Sequence, residues 1–118
     1  MANHLQTGRQ GEDLAVEWLL QHGYQIRHRN WKHSYYELDI VAEKNDILHF
    51  VEVKTRRNTR FGHPEEGVTK KKIARLYEAG AAYQEAFPAH KRVQYNILSI
   101  LLLPNKQPEF FFLEDISL

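Results

Sequence analysis

The chain of 118 residues has no cysteine. Disulfides and zinc–thiolate sites are therefore excluded, and a reducing cytoplasm is the expected location. Only three serines occur, Ser34, Ser99 and Ser117, and none stands in a G-x-S-x-G turn, which argues against a serine nucleophile. Seven histidines are present but no H-x-x-x-H pair, so a histidine-rich zinc site is not indicated. No apolar run approaches the roughly 20 residues that span a bilayer, so no membrane is expected as a partner. The opening stretch MANHLQTGRQGED lacks the apolar core of a secretory signal. No repeat, low-complexity segment or linker divides the chain. With 42% hydrophobic and 26% charged residues, the composition is that of one globular domain over 1–118, with residues 1–6 as a flexible tail.

What is there is concentrated between Glu37 and Thr55, ELDIVAEKNDILHFVEVKT. Leu38, Ile40 and Ala42 alternate with Glu37, Asp39 and Val41, the period of a strand. Asn45-Asp46 breaks the pattern with residues that tolerate left-handed backbone, and a second apolar strand follows. If those two residues form the whole loop, Lys44 faces Ile47, Asp39 faces Glu52 and Glu37 faces Lys54. The four charges then share one sheet face. Directly opposed like charges destabilise a sheet. A neighbouring cation, a shared proton or a bound metal would make the pair tolerable. Two carboxylates at this spacing suit a hard divalent cation such as Mg²⁺, and Lys54 adds a positive charge without taking a ligand position. The alternative is an exposed face carrying a solvated ion pair.

The net charge of +1 is unevenly spread. Between Lys54 and Arg75 stand eight basic residues against Glu65 and Glu66, so this segment carries +6 and the remainder −5. A basic patch beside an acidic cluster is expected where a polyanion meets a metal; Lys-rich loops and helix starts are also often simply solvated. From Thr7 to His22 the period is helical, with Ala15, Val16, Leu19 and Leu20 on one stripe. Glu12 falls on that stripe, either as a costly buried charge or as a first-turn residue favoured by the helix dipole. Gly8 and Gly11 permit close backbone approach or mark a frayed start. Strands are expected at Tyr24–Trp31, Val93–Leu103 and Glu109–Leu113, the first of them an edge. A second helix, capped by Thr69, buries Ile73, Leu76, Tyr77, Gly80 and Ala81 and ends near Phe87. Lys70, Lys71 and Lys72 in its first turn oppose the dipole unless a phosphate binds there. Lys72 leans towards the packed side, as a site residue or a snorkelling lysine. The segment Arg56 to Gly67 reads as a loop long enough to suggest function.

This order of elements, with Asp39 on the second strand and Glu52-Val53-Lys54 on the third, resembles the PD-(D/E)XK nuclease superfamily. The chain is more closely similar to the YraN-like family of small bacterial proteins. The resemblance is carried by Gly8 to Glu12, Gly23-Tyr24, Arg29-Asn30, Glu37 to Ala42, Phe50 to Arg56, Gly62, Val68 and Lys72. It implies an α/β, restriction-endonuclease-like αβββαβ core with a mixed central sheet. It implies that Asp39 and Glu52 ligate Mg²⁺ or Mn²⁺, with Glu12 as the additional helix-borne acid, Lys54 acting on water or phosphate, and Glu37 in support. Archaeal Holliday-junction resolvases share this layout more distantly. Two departures stand out: the glycine expected before E-x-D is Tyr36, and the Arg-Phe-Asp expected on the late strand is Gln94-Tyr95-Asn96.

The function expected is thus a metal-dependent endonuclease that hydrolyses DNA phosphodiesters, with Glu12, Asp39, Glu52 and Lys54 catalytic. Arg56, Arg57, Arg60, Lys70, Lys71 and Lys72 are expected to grip the backbone. Junction, flap, single-stranded and duplex substrates all stay open, and a homodimer would supply the two sites that branched or duplex cleavage needs. The alternatives are a non-catalytic nucleic-acid-binding module and a protein-interaction subunit.

Overall fold

The computed structural model describes residues 4–58, 69–89 and 92–117. Its elements are α1 (His4–Gln21), β1 (Gln25–His33), β2 (Tyr36–Lys44), β3 (Ile47–Arg56), α2 (Lys70–Ala86), β4 (Val93–Leu101) and β5 (Glu109–Leu113). The expected order is met throughout. α1 starts earlier than the expected tail allows, since residues 4–6 are already helical. Residues 59–68, with Arg60 and most of the expected functional loop, lie outside the described residues.

The five strands form one mixed sheet in the order β1-β2-β3-β4-β5. β3 and β4 are parallel and the other neighbours antiparallel. The parallel pair needs a long crossover, which contains α2. Each helix covers one face. On one side Ala15 and Leu19 of α1 pack on Ile40, Ala42, Val51, Leu98 and Ile100. On the other, Leu76, Ala79 and Tyr83 of α2 pack on Leu38, Val41, Leu48 and Phe50. The apolar stripe of α2 is rotated from the expected one. Ala79 and Tyr83 are buried, while Ala81 is exposed and Tyr77 only half-buried. Tyr77 is held at the edge because its hydroxyl donates to the Ile116 carbonyl at 2.9 Å.

Local signals act as their chemistry requires. Asn45 and Asp46 both take positive φ, 53° and 63°, and make the two-residue hairpin loop. Gly23 ends α1 at φ 88°. Thr69 caps α2, its Oγ1 accepting from the Lys72 N–H at 3.2 Å. β1 is an edge strand, as its polar side predicts.

The two departures from the family motif have structural uses. Tyr36 is half-buried and packs against the α2-side core. Asn96 is fully buried: its Nδ2 is 2.9 Å from His49 Nδ1, and its Oδ1 accepts the Asp115 N–H at 2.9 Å. It pins the C-terminal segment to β4.

Candidate active site

The hairpin register is the expected one from Lys44↔Ile47 to Ile40↔Val51, and there the ladder stops. β2 continues back to Tyr36 and β3 on to Arg56, but no longer paired to each other. β3 stays paired with β4 through Arg56↔Leu101, and β2 stays paired with β1 through Tyr36↔His33. Asp39 therefore does not oppose Glu52 in a ladder, nor Glu37 Lys54. The strands part, and Asp39 bridges the gap: its Oδ2 accepts the Val53 N–H at 2.8 Å.

The side-chain alternation also breaks at Asp39. Ile40 and Ala42 face α1, so strict alternation would put Leu38 there too; instead Leu38 joins Val41 on the α2 face. β1 does the same. His28 and Trp31, three residues apart, both contact Tyr83 of α2. Between them Asn30 has φ 51°, a left-handed conformation that is uncommon inside a strand. The pairs Arg29↔Ile40 and Trp31↔Leu38 flank Asn30 and Asp39, so both strands change face at one level. The expected ladder pairs are thus corrected, while the charges still gather: Glu37, Asp39 and Glu52 line one cleft, and Lys54 feels the charges of Glu52 and Asp39.

Three other carboxylates reach Asp39. Burial is the largest cause pushing its carboxyl up to about 6, against the lowering effect of the Val53 hydrogen bond. The charges of Glu52, Glu12 and Glu37 push the same way as burial. Glu52 stands on β3 across the gap, and its Oε2 is buried with no hydrogen-bond partner among the described residues. Glu12 is delivered by α1. It is not a first-turn residue, because α1 begins eight residues earlier. What brings it in is Gly11, where a Cβ would stand 1.8 Å from Thr55 Oγ1, so only glycine lets α1 lie this close to β3. Glu12 Oε1 is likewise buried without a hydrogen bond, and Arg29 Nη2 is 3.7 Å away. That guanidinium is committed to Asp13 at 2.6 Å. Glu37 is more peripheral, exposed and 3.4 Å from Lys32 rather than paired with Lys54.

Cations close the site from α2. Burial, followed by the neighbouring Lys72, holds the Lys54 ammonium below its ordinary value, against the opposing charges of Glu52 and Asp39. Lys72 and Arg75 line a cleft of about 520 Å³ together with Asp39 and Glu52. Lys72 is thus a cleft residue. Lys70 and Lys71 are exposed on the first turn of α2. Arg57 is exposed and donates to Gln10 Oε1 at 3.0 Å, and Arg56 is half-buried. Sequence reading missed Tyr35, Arg75 and Glu78, which also line the cleft. The spacing could have found two of them: Arg75 and Glu78 follow Lys72 at helical intervals.

The donor types suit a hard cation: three carboxylates, of which Glu12 Oε1 and Glu52 Oε2 are buried without a hydrogen bond among the described residues. Among the described residues no group of three or more His, Asp or Glu is arranged to hold a metal ion.

The αβββαβ order and a mixed sheet that opens between its second and third strands over acids and a lysine define an α/β domain of two helices on a five-stranded mixed sheet. The chain belongs to the uncharacterised protein family UPF0102, the YraN family, whose model matches residues 11–100. Relatives carrying that family name include proteins from Bacteroides thetaiotaomicron, 48% identical over 86% of this chain and 84% of its own length, and Syntrophomonas wolfei, 45% identical over 86% and 89%. One from Rhodococcus opacus is 37% identical over 98% of both chains. Among solved structures, a Holliday junction resolvase of Archaeoglobus fulgidus aligns at 19% identity with TM-score 0.48, covering 87% of this chain and 74% of that one. No helix of the described residues is long and apolar enough to cross a membrane.

Proposed function

We propose that this protein is a divalent-cation-dependent nuclease that hydrolyses DNA phosphodiesters. The observation that carries the reading is the gathering of Glu12, Asp39 and Glu52 from three elements at the gap between β2 and β3, beside Lys54. Such an arrangement destabilises the fold; Lys54, the cleft cations Lys72 and Arg75 and the Arg29 guanidinium near Glu12 offset it in part, and a bound cation would offset more. Asp39, Glu52 and Glu12 would hold Mg²⁺ or Mn²⁺, which would supply Lewis-acid stabilisation of the negative charge on the phosphate. Lys54 orients the attacking water, and its lowered proton affinity suits it to pass a proton on. Lys72 and Arg75 contact phosphate oxygens from the α2 wall, while Lys70, Lys71 and Arg57 lie outside as a diffuse attraction for the backbone. Cutting two strands needs two such sites, which a pair of chains would supply.

The cations along α2, with Lys70 and Lys71 exposed and Lys72 and Arg75 lining the cleft, serve equally a second reading, a nucleic-acid-binding module without catalysis. A cleavage screen over branched, single-stranded and duplex DNA with Mg²⁺ and Mn²⁺ separates the two. Cation-dependent cleavage by the wild type and none by Asp39→Ala is the expected result. Binding without cleavage of any substrate by the wild type would move the assignment to the second reading.

A further inference from the structure

The cleft has a rim that the proposed hydrolysis does not use. Ser34 and Tyr35 form the turn between β1 and β2, closed by the pair His33↔Tyr36, with Ser34 at φ 56°. Tyr35 is 97% exposed, the most exposed large apolar side chain of the described residues. So little of it is covered that folding gains almost nothing from its ring. Yet it lines the same cleft as Asp39 and Glu52, together with Lys72 and Arg75 of α2. The floor is acidic, one wall is cationic and the rim is an aromatic ring.

An exposed ring beside phosphate-binding cations matches one ligand chemistry, a nucleotide whose base face is uncovered. Bases stack on aromatic side chains with little regard to sequence, while Lys and Arg track the backbone. Inside a duplex the base faces are already stacked on their neighbours, and a ring at a cleft rim finds nothing to cover. Resting on the nuclease reading, we propose that Tyr35 stacks on an unpaired base beside the phosphate held over Asp39 and Glu52. The substrate class is then DNA that is single-stranded at the point of cleavage, whether a free strand, a flap or a branch. Lys72 and Arg75 hold the flanking phosphates.

The test is binding of a twelve-nucleotide oligothymidylate and of a twelve-base-pair duplex in chelator, with cleavage followed separately in Mg²⁺. Tyr35→Ala should weaken oligothymidylate binding by roughly ten- to a hundredfold, the usual loss for one stacked base. Duplex binding and the unfolding temperature should stay unchanged. Tyr35→Trp should restore binding, and its added indole fluorescence should be quenched by the oligonucleotide. Under Mg²⁺, Tyr35→Ala should raise KM for single-stranded or flap substrate more than it lowers kcat. Equal weakening on both probes, or none on either, overturns the stacking role; if wild-type cleavage persists in that case, the nuclease reading stands without it. Failure of the wild type to bind either probe overturns the stacking role, and the nuclease reading falls with it only if no substrate is cleaved in Mg²⁺.

Discussion

The two halves of the β2–β3 hairpin are built from the same strands and behave oppositely. From Ile40 to Val51 the ladder is closed, and Ile40, Val41, Ala42, Leu48, Phe50 and Val51 are almost completely buried. Before Ile40 and after Val51 the strands part, and the residues released, Asp39, Glu52 and Lys54, are half-buried charges. The closed half has the interactions of a core: apolar area removed from water and hydrogen bonds completed across the ladder. The open half has no ladder between β2 and β3, and the Val53–Asp39 hydrogen bond replaces a little of it. The difference shows stability and chemistry separated along one hairpin, the open half being held by the neighbours β1 and β4.

The largest effect should come from removing the acids of the open half. Asp39→Ala or Glu52→Ala should lower cleavage at least a thousandfold, about 4 kcal/mol of transition-state stabilisation. Lys54→Ala should do the same to cleavage but keep cation binding, read by Mn²⁺ titration. Failure of Lys54→Ala to bind the cation would erase the distinction between ligand and proton carrier.

In the closed half, Phe50→Ala should cost about 3–5 kcal/mol by chemical denaturation, because the ring is fully buried against Tyr83 and Tyr95. That cost should be the same with and without Mg²⁺. A cation-dependent cost would mean that the halves are coupled rather than separate.

Asp39→Asn should act in the opposite sense. The wild-type carboxyl has a folded pKa raised from 3.8 to about 6. Between those values the folded state binds more protons than the unfolded, so stability falls as pH rises. The penalty is absent below about pH 4 and complete above about pH 6. The amide keeps an acceptor for the Val53 N–H and removes the charge. In chelator at pH 8 the variant should be more stable by about 1–3 kcal/mol, with the gain vanishing at pH 4. Saturating Mg²⁺ should shrink or reverse the gain, since only the wild type then binds a ligand on folding. A variant less stable than wild type in chelator at pH 8 would show that the open half is not strained.

The smallest effect belongs to the outer charges. Replacing Lys70 and Lys71 by alanine should weaken all DNA alike, reducing the salt slope by roughly 0.7–0.9 for each phosphate no longer neutralised. An unchanged slope would place the neutralised phosphates on the Lys72 and Arg75 wall alone.

The sequence by itself determined what depends on neighbours in the chain. The Asn45-Asp46 turn, the Thr69 cap, the Gly23 stop and the order of elements are local events, settled by which backbone conformations those residues tolerate. The register of the closed half followed from the turn, because a two-residue loop leaves no freedom in what it pairs. Asp39 and Glu52 were legible as acids interrupting apolar strands, whereas the place of Glu12 beside them was only what the family resemblance implied. Only the tertiary structure decided their arrangement. Period-two extrapolation assumes that a ladder, once begun, continues; β1 and β4 instead pull β2 and β3 apart beyond Ile40 and Val51. The face switch at Asn30 and Asp39 is likewise set across strands, because Trp31 and Leu38 must both meet α2. The approach of Glu12 depends on Gly11 against Thr55, a meeting of residues 44 positions apart. Tyr35 offered no pattern to follow, since a turn residue without packing partners has no periodicity, and its place at the cleft exists only once β1, β2 and α2 have come together.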